Sequence, residues 1–170
     1  MHPGGQKDWK FTLTVREACP ADLPRLTELF DYNDVSAMIA ENTRRMETGE
    51  YSIFLLLDDD ALIGELHVTW RSDDPRFAVD GRRAYLSAFR VREDKQGYGF
   101  GNFLLDNVIR IIIQGGYWEI TIGVEDDNSR ARHMYGKRGF TELVARCSES
   151  YQGDAYAYDL LLRRNAEGCS

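Results

Sequence analysis

Cysteine, histidine, basic charge and long apolar runs are all scarce in this chain, and each scarcity removes a class of protein. Cys19, Cys147 and Cys169 stand far apart among 170 residues, with no Cys-x-x-Cys pair and only three histidines. That argues against a disulfide framework and against a zinc site. It suits a reducing, cytoplasmic setting with no metal. The longest apolar runs, residues 53–57 and 111–113, fall far short of the ~20 residues a membrane-crossing helix requires. Residues 1–10 are polar and carry no apolar core of a secretory leader, so a flexible N-terminus is expected ahead of one domain over residues 11–165. Lysine and arginine total 21 against 28 aspartates and glutamates, a net charge of −7. Nonspecific nucleic-acid binding depends on basic surface, so no nucleic-acid partner is expected. What is present is an ordinary apolar fraction, 43% with 12% aromatic, in a chain long enough to bury a core.

Periodicity orders that material into elements. Residues 11–17 alternate as a strand, and residues 20–30 read as a helix with Leu23, Leu26 and Phe30 on one face. Residues 35–47 give a second helix, and residues 52–57 and 62–70 flank an Asp-Asp-Asp-Ala turn as a hairpin. A polar stretch over residues 71–83 is the longest loop. Strands follow at 84–91 and 117–124, with helices over 102–114 and 129–138, and a closing pair of strands at 142–147 and 155–162. Hairpins at both ends around a strand–helix–strand centre predict an α/β fold: a mixed, mostly antiparallel sheet with helices on both faces.

The most informative segment is Gln96-Gly97-Tyr98-Gly99-Phe100-Gly101-Asn102, set between an apolar strand and an apolar helix. Glycines at alternate positions allow positive φ and let a ligand approach the backbone. A glycine turn feeding a helix N-terminus aims free N–H groups and the positive dipole end at one point, a site for phosphate or pyrophosphate. Lys95 and Arg92 stand beside it; the alternative is a mobile glycine loop. A P-loop would require Gly-Lys-Ser or Gly-Lys-Thr, and a dinucleotide fingerprint Gly-x-Gly-x-x-Gly; neither spacing is present.

Gln96, Gly99 and Gly101 instead fit Gln-x-x-Gly-x-Gly, which resembles the acetyl-CoA pyrophosphate signature of the GCN5-related N-acetyltransferase (GNAT) superfamily. Val124, Asn128, Ala131, Tyr135, Gly139 and Phe140 are similar in order and spacing to that superfamily's closing motif. Residues 15–18 with Asp22 and Leu26 resemble its opening strand and first helix. The resemblance spans about residues 11–162 and implies a GNAT-like acyl-CoA N-acyltransferase fold. It further implies an acetyl-CoA-dependent N-acetyltransferase acting on a primary amine, small molecule or protein, in a ternary complex. A catalytically inactive acyl-CoA-binding sensor is the alternative, and a homodimer is left open.

By the same resemblance, amides from Gly97 through Tyr98, Gly99, Phe100 and Gly101 to Asn102 hold the pyrophosphate. Gln96 shapes the turn or bonds a phosphate oxygen. The strand segment Phe89, Arg90, Val91 meets the pantetheine arm as an added strand would. Asn128 and Ala131 border the cofactor, and Tyr135 protonates the departing thiolate. A phenol of pKa about 10 is a feasible acid for a thiolate of about 8.5. Without the resemblance, Tyr135 reads as a core tyrosine on an amphipathic helix and Asn128 as a helix N-cap. The general base is the least determined role. Glu65, His67, Tyr85 and Ser87 are the candidates on the central strands; Glu65 is selected, with a water chain as the competing possibility. Asp73, Asp74 and Asp80 in the long loop and Glu41 in the second helix are candidates for an acidic acceptor pocket that would favour a cationic amine; the alternative, a solvated acidic loop, is the stronger reading.

Overall fold

The computed structural model describes residues 10–151 and 153–165, so most of the expected flexible N-terminus lies outside the described residues. Strands β1 (Leu13–Glu17), β2 (Tyr51–Asp58), β3 (Ala61–Thr69), β4 (Arg83–Val91), β5 (Glu119–Glu125), β6 (Glu142–Tyr151) and β7 (Asp154–Arg164) form one sheet in the order β1-β2-β3-β4-β5-β7-β6. Every neighbouring pair is antiparallel except β4–β5. This is the mixed, mostly antiparallel sheet that the alternation predicts. The helices are α1 (Val35–Glu47), α2 (Phe100–Gln114) and α3 (Ser129–Gly136).

Period-2 alternation sends the two faces of β2 and β3 into two separate cores. Ile53, Leu55 and Leu57 pack with Leu23 and Leu26, flanked by Met38, Ile39 and Met46 of α1. Phe54 and Leu56 face the other way, with Leu104, Leu105, Val108, Ile109 and Ile112 of α2 and with Ala131 and Tyr135 of α3. Both faces of these strands are therefore dry, which explains their nearly continuous burial. Gly64 permits one close approach in this interior: a Cβ there would lie 2.8 Å from the Arg90 carbonyl oxygen.

The segment expected as a helix over residues 20–30 is a 3₁₀ helix, Pro20–Glu28. Pro24 lies inside it and supplies no N–H, so a regular i→i−4 ladder cannot run through. Its start is clamped by Asp22, which accepts from the Cys19 amide at 2.8 Å and from both Arg16 terminal nitrogens at 2.8 Å. The Arg16 hydrogen bonds hold the Asp22 carboxyl well below the usual carboxylate range, against the opposing effect of burial. A carboxylate depressed in the folded state stabilises above its unfolded pKa of about 3.9 and loses that contribution as pH falls. Asp22→Asn is therefore expected to cost about 1–2 kcal/mol at pH 7. In urea melts the gap between parent and variant should narrow below about pH 4; a gap independent of pH would refute this linkage.

The loop over residues 70–82 lies folded onto the sheet. Thr121 Oγ1 donates to the Phe77 carbonyl at 2.7 Å, Ala78 is fully buried, and the Phe77 and Tyr85 rings meet at 4.9 Å. No helix among the described residues is long and apolar enough to cross a membrane.

Candidate active site

The sheet opens between its two parallel strands. The β4–β5 ladder runs only from Arg83↔Glu119 to Leu86↔Ile122. Just beyond it β4 bulges: Glu65 pairs with Arg90 and His67 with Ser87, so β4 spends one more residue than β3. Ala88 takes φ +49°, an uncommon conformation for a residue with a Cβ. The bulge turns the end of β4, with Phe89 and Val91, away from β5 and leaves that edge without a ladder partner.

From Val91 the chain passes through a short 3₁₀ turn, Glu93–Lys95, into the glycine run. Gly97 (φ +85°) and Gly99 (φ +83°) both occupy the left-handed region, and Gly99 is the N-cap of α2. Gln96 donates its side-chain N–H to the Val91 carbonyl at 3.1 Å, which ties the turn to the strand end. A groove of about 630 Å³ follows, lined by Phe89, Val91, residues 95–97 and 99–102 of the turn and one side of α3; Tyr98 is outside the lining, exposed and stacked on Phe100. The first-turn amides of α2, which lack intrahelical partners, border this groove. Phe103 N–H is the first to close a helical bond, onto the Gly99 carbonyl.

Sequence reasoning missed part of the groove's charge. Arg130, His133 and Lys137 line it together with Lys95. The i, i+3, i+7 spacing of Arg130 and His133 on α3 and Lys137 at its C-cap was a readable signal that one side of that helix overlooks the glycine turn. Arg92, expected beside the turn, is engaged with Asp94 and the Leu62 carbonyl. Asn128 caps α3, accepting from the Ala131 amide at 3.1 Å, and both residues also border the groove. The capping and lining roles coexist.

Tyr135 stands where three cavities meet. It lines the groove, a cavity of about 390 Å³ bounded by β4, β5 and the β6–β7 hairpin, and a third of about 370 Å³ at the end of β5. Its ring is 7% exposed, stacked near Phe89 at 6.5 Å and edge-on to Phe140 at 6.1 Å. Burial pushes the phenol up to about 12, so it carries its proton throughout the neutral range.

Glu65 is fully buried and lines none of these cavities. Arg90 donates to its Oε1 at 2.6 Å, and the guanidinium lies 3.8 Å over the Phe30 ring. Its Oε2 faces His67 Nε2 at 3.3 Å, and neither atom has another partner among the described residues. His67 Nδ1 is hydrogen-bonded to the Tyr51 hydroxyl. Ser87 lines the 390 Å³ cavity and is an electrostatic neighbour of Tyr51, whose phenol burial pushes up to about 12. The strand alternation that selects Glu65 and His67 thus holds, but it places them behind the cavity wall.

The four acidic candidates lie outside the three cavities. Asp74 pairs with Arg76, Glu41 with Arg44, Asp80 accepts from Tyr117, and neither these nor Asp73 line the three cavities. Glu125 and Glu149 line the 390 Å³ cavity instead.

The sheet, its opening and the glycine turn together define an acyl-CoA-type transferase fold, and comparison with known proteins agrees. Residues 16–140 match the family model described as Acetyltransferase (GNAT) family, and the chain belongs to that family. No functionally curated protein matches the sequence. Among solved structures, yncA from Salmonella typhimurium, determined with its cofactor acetyl-CoA, is 20% identical, with 93% of this chain and 96% of that one covered and a TM-score of 0.69. Ribosomal-protein-alanine N-acetyltransferase from Brucella melitensis is 17% identical over 89% and 99%, TM-score 0.72. Spermidine/spermine N-acetyltransferase SpeG from Vibrio cholerae is 18% identical over 89% and 92%, TM-score 0.71. At these identities the likeness is one of fold.

Proposed function

We propose that this chain moves the acetyl group of acetyl-CoA to the nitrogen of a primary amine by direct attack in a ternary complex. The observation that carries this reading is Tyr135, one side chain lining both the groove beside the glycine turn and the cavity on the far side of the splay. The pyrophosphate is held by the amides of residues 97–102 and the basic side chains of Lys95, Arg130 and Lys137. The pantetheine amides pair with the open edge of β4 at Phe89 and Val91. That arrangement presents the thioester at the opening, with the amine entering from the opposite cavity.

The neutral amine nitrogen forms its bond to the acetyl carbon, the carbon–sulfur bond breaks and Tyr135 gives its proton to the departing thiolate; the acetylated nitrogen then releases its extra proton, which restores the phenol and leaves the amide and free CoA thiol. The acceptor must first lose an ammonium proton. Glu65 does not touch the acceptor; ion-paired to Arg90 behind the cavity wall, it is a positioning residue, and the proton leaves by way of water. The test is release of free thiol from acetyl-CoA in the presence of an amine panel. Turnover supports transfer; CoA affinity without turnover would favour the inactive binding domain.

A further inference from the structure

The outer wall of the 390 Å³ cavity is built by the last two strands. Register places Glu149 opposite Tyr156 and Cys147 opposite Tyr158, while Glu125 at the end of β5 faces Tyr158. Tyr156 and Tyr158 project from the same face of β7. Their hydroxyls donate to the two carboxylate oxygens of Glu149 at 2.9 and 2.7 Å, and their rings lie 6.1 Å apart. Tyr85 and Phe89 from β4 and Tyr135 from α3 add three more aromatic rings to the lining. Gly123 is what lets this wall form. A Cβ on it would come within 2.9 Å of the Tyr158 ring, so the missing side chain allows that ring to lie across β5.

The wall is negative and aromatic, and its nearby cations are already matched. Arg90, which itself lines the cavity, is committed to Glu65 and the Phe30 ring, and Arg76 on the covering loop to Asp74. Among the described residues the hydrogen bonds of Glu149 come from phenols, which fix the carboxylate without neutralising it. Burial and the neighbouring Glu149 raise the Tyr85 phenol, and burial brings Tyr156 up to about 12, so the rings stay uncharged. A fixed carboxylate bordered by aromatic rings favours a cation over an anion.

We propose that Glu149, Tyr85, Tyr156 and Tyr158 form a subsite for a standing positive charge, so that the acceptor is a primary amine whose chain carries a second cationic group. This rests on the acetyl-transfer reading of the same site. The attacking nitrogen must be neutral, and a carboxylate held against it would keep its proton in place. Glu149 pairs with Tyr156, two residues past the last β5–β7 pair, so it sits beyond the end of β5. That position suits a charge that persists through the reaction. A volume of about 390 Å³ is at the small-molecule end of ligand cavities.

The test compares three linear acceptors of equal length, a diamine, an alkylamine and an ω-amino acid, with the parent and with Glu149→Gln. The parent should show kcat/KM for the diamine at least about tenfold above the alkylamine, with the amino acid poorest. The variant should lose about tenfold on the diamine and change less than about twofold on the alkylamine. Its affinity for CoA by calorimetry should match the parent, because Glu149 is outside the cofactor groove. The subsite is overturned if the parent does not prefer the diamine, or if the variant slows diamine and alkylamine equally, which would put Glu149 at the reacting nitrogen. If no acceptor is acetylated, the three compounds are titrated into the CoA-loaded protein. Diamine binding weakened about tenfold by Glu149→Gln then upholds the subsite and overturns transfer alone; absent or unchanged binding overturns the subsite.

Discussion

Tyr135→Phe is expected to lower turnover by roughly 10²–10³ at saturating acetyl-CoA, the range typical of losing a general acid. The substitution keeps the ring that stacks near Phe89 and meets Phe140 edge-on, so packing on that face survives. It removes a hydroxyl that has no hydrogen-bond partner among the described residues. No internal bond is broken, and stability should change by less than about 1 kcal/mol. The phosphate and pantetheine sites lie on other residues, so the affinity for CoA should hold. The raised phenol bears on the pH profile. With its folded value near 12, Tyr135 stays protonated from acid to mildly alkaline conditions, and its ionisation should not limit the parent below about pH 10. A rise in rate with pH would then report the acceptor's own ammonium group. Parent and variant kcat, with CoA affinity as control, decide the matter. An unchanged kcat would reduce Tyr135 to a core side chain.

The sequence made the sheet legible because its strands obey one rule. Alternation in residues 52–57 and 62–70 places Ile53, Leu55 and Leu57 on one face and Phe54 and Leu56 on the other, and both cores follow that division. Helix α1 was readable to the residue from its apolar spacing; in the structure Asp34 caps it, its side chain accepting from the Ala37 amide at 2.9 Å. Long-range pairing was not readable. Nothing local indicates that Glu65 meets Arg90 and Tyr32, 25 and 33 positions away, and so its availability as a base could not be judged from its strand. The final hairpin was read too short because Ser148, Glu149 and Ser150 are polar. They are strand residues all the same, paired to Ala157, Tyr156 and Ala155. That shortening hid the carboxylate of the cavity wall, although the alternating Tyr156 and Tyr158 were in view. The loop over residues 70–82 was legible as a loop, but its seat on the sheet depends on single contacts such as Thr121 to Phe77.

Gly99→Val is expected to abolish measurable CoA binding, a loss of at least about 10²-fold, while leaving a folded protein. At φ +83° a β-branched residue is strained by about 1–3 kcal/mol, and the backbone will relieve that strain by leaving the left-handed region. The protein itself does not obstruct the new side chain, since a Cβ at Gly99 meets nothing within 4 Å. The conflict is therefore with the turn's own conformation and with whatever occupies the open space beside it. Because Gly99 is the N-cap of α2, any rotation there re-aims the first-turn amides on which the anion site depends. The helix itself should persist: Leu104, Leu105, Val108 and Ile112 are fully buried and Ile109 nearly so, and that anchorage is independent of the first turn. Gly99→Ala gives the intermediate case, with the same unfavourable φ but no branched Cβ. Affinity should fall in the order glycine, alanine, valine, while thermal melts stay cooperative in all three. Calorimetry decides it: a valine variant that binds CoA as tightly as the parent would mean that the pyrophosphate is held elsewhere than at this turn.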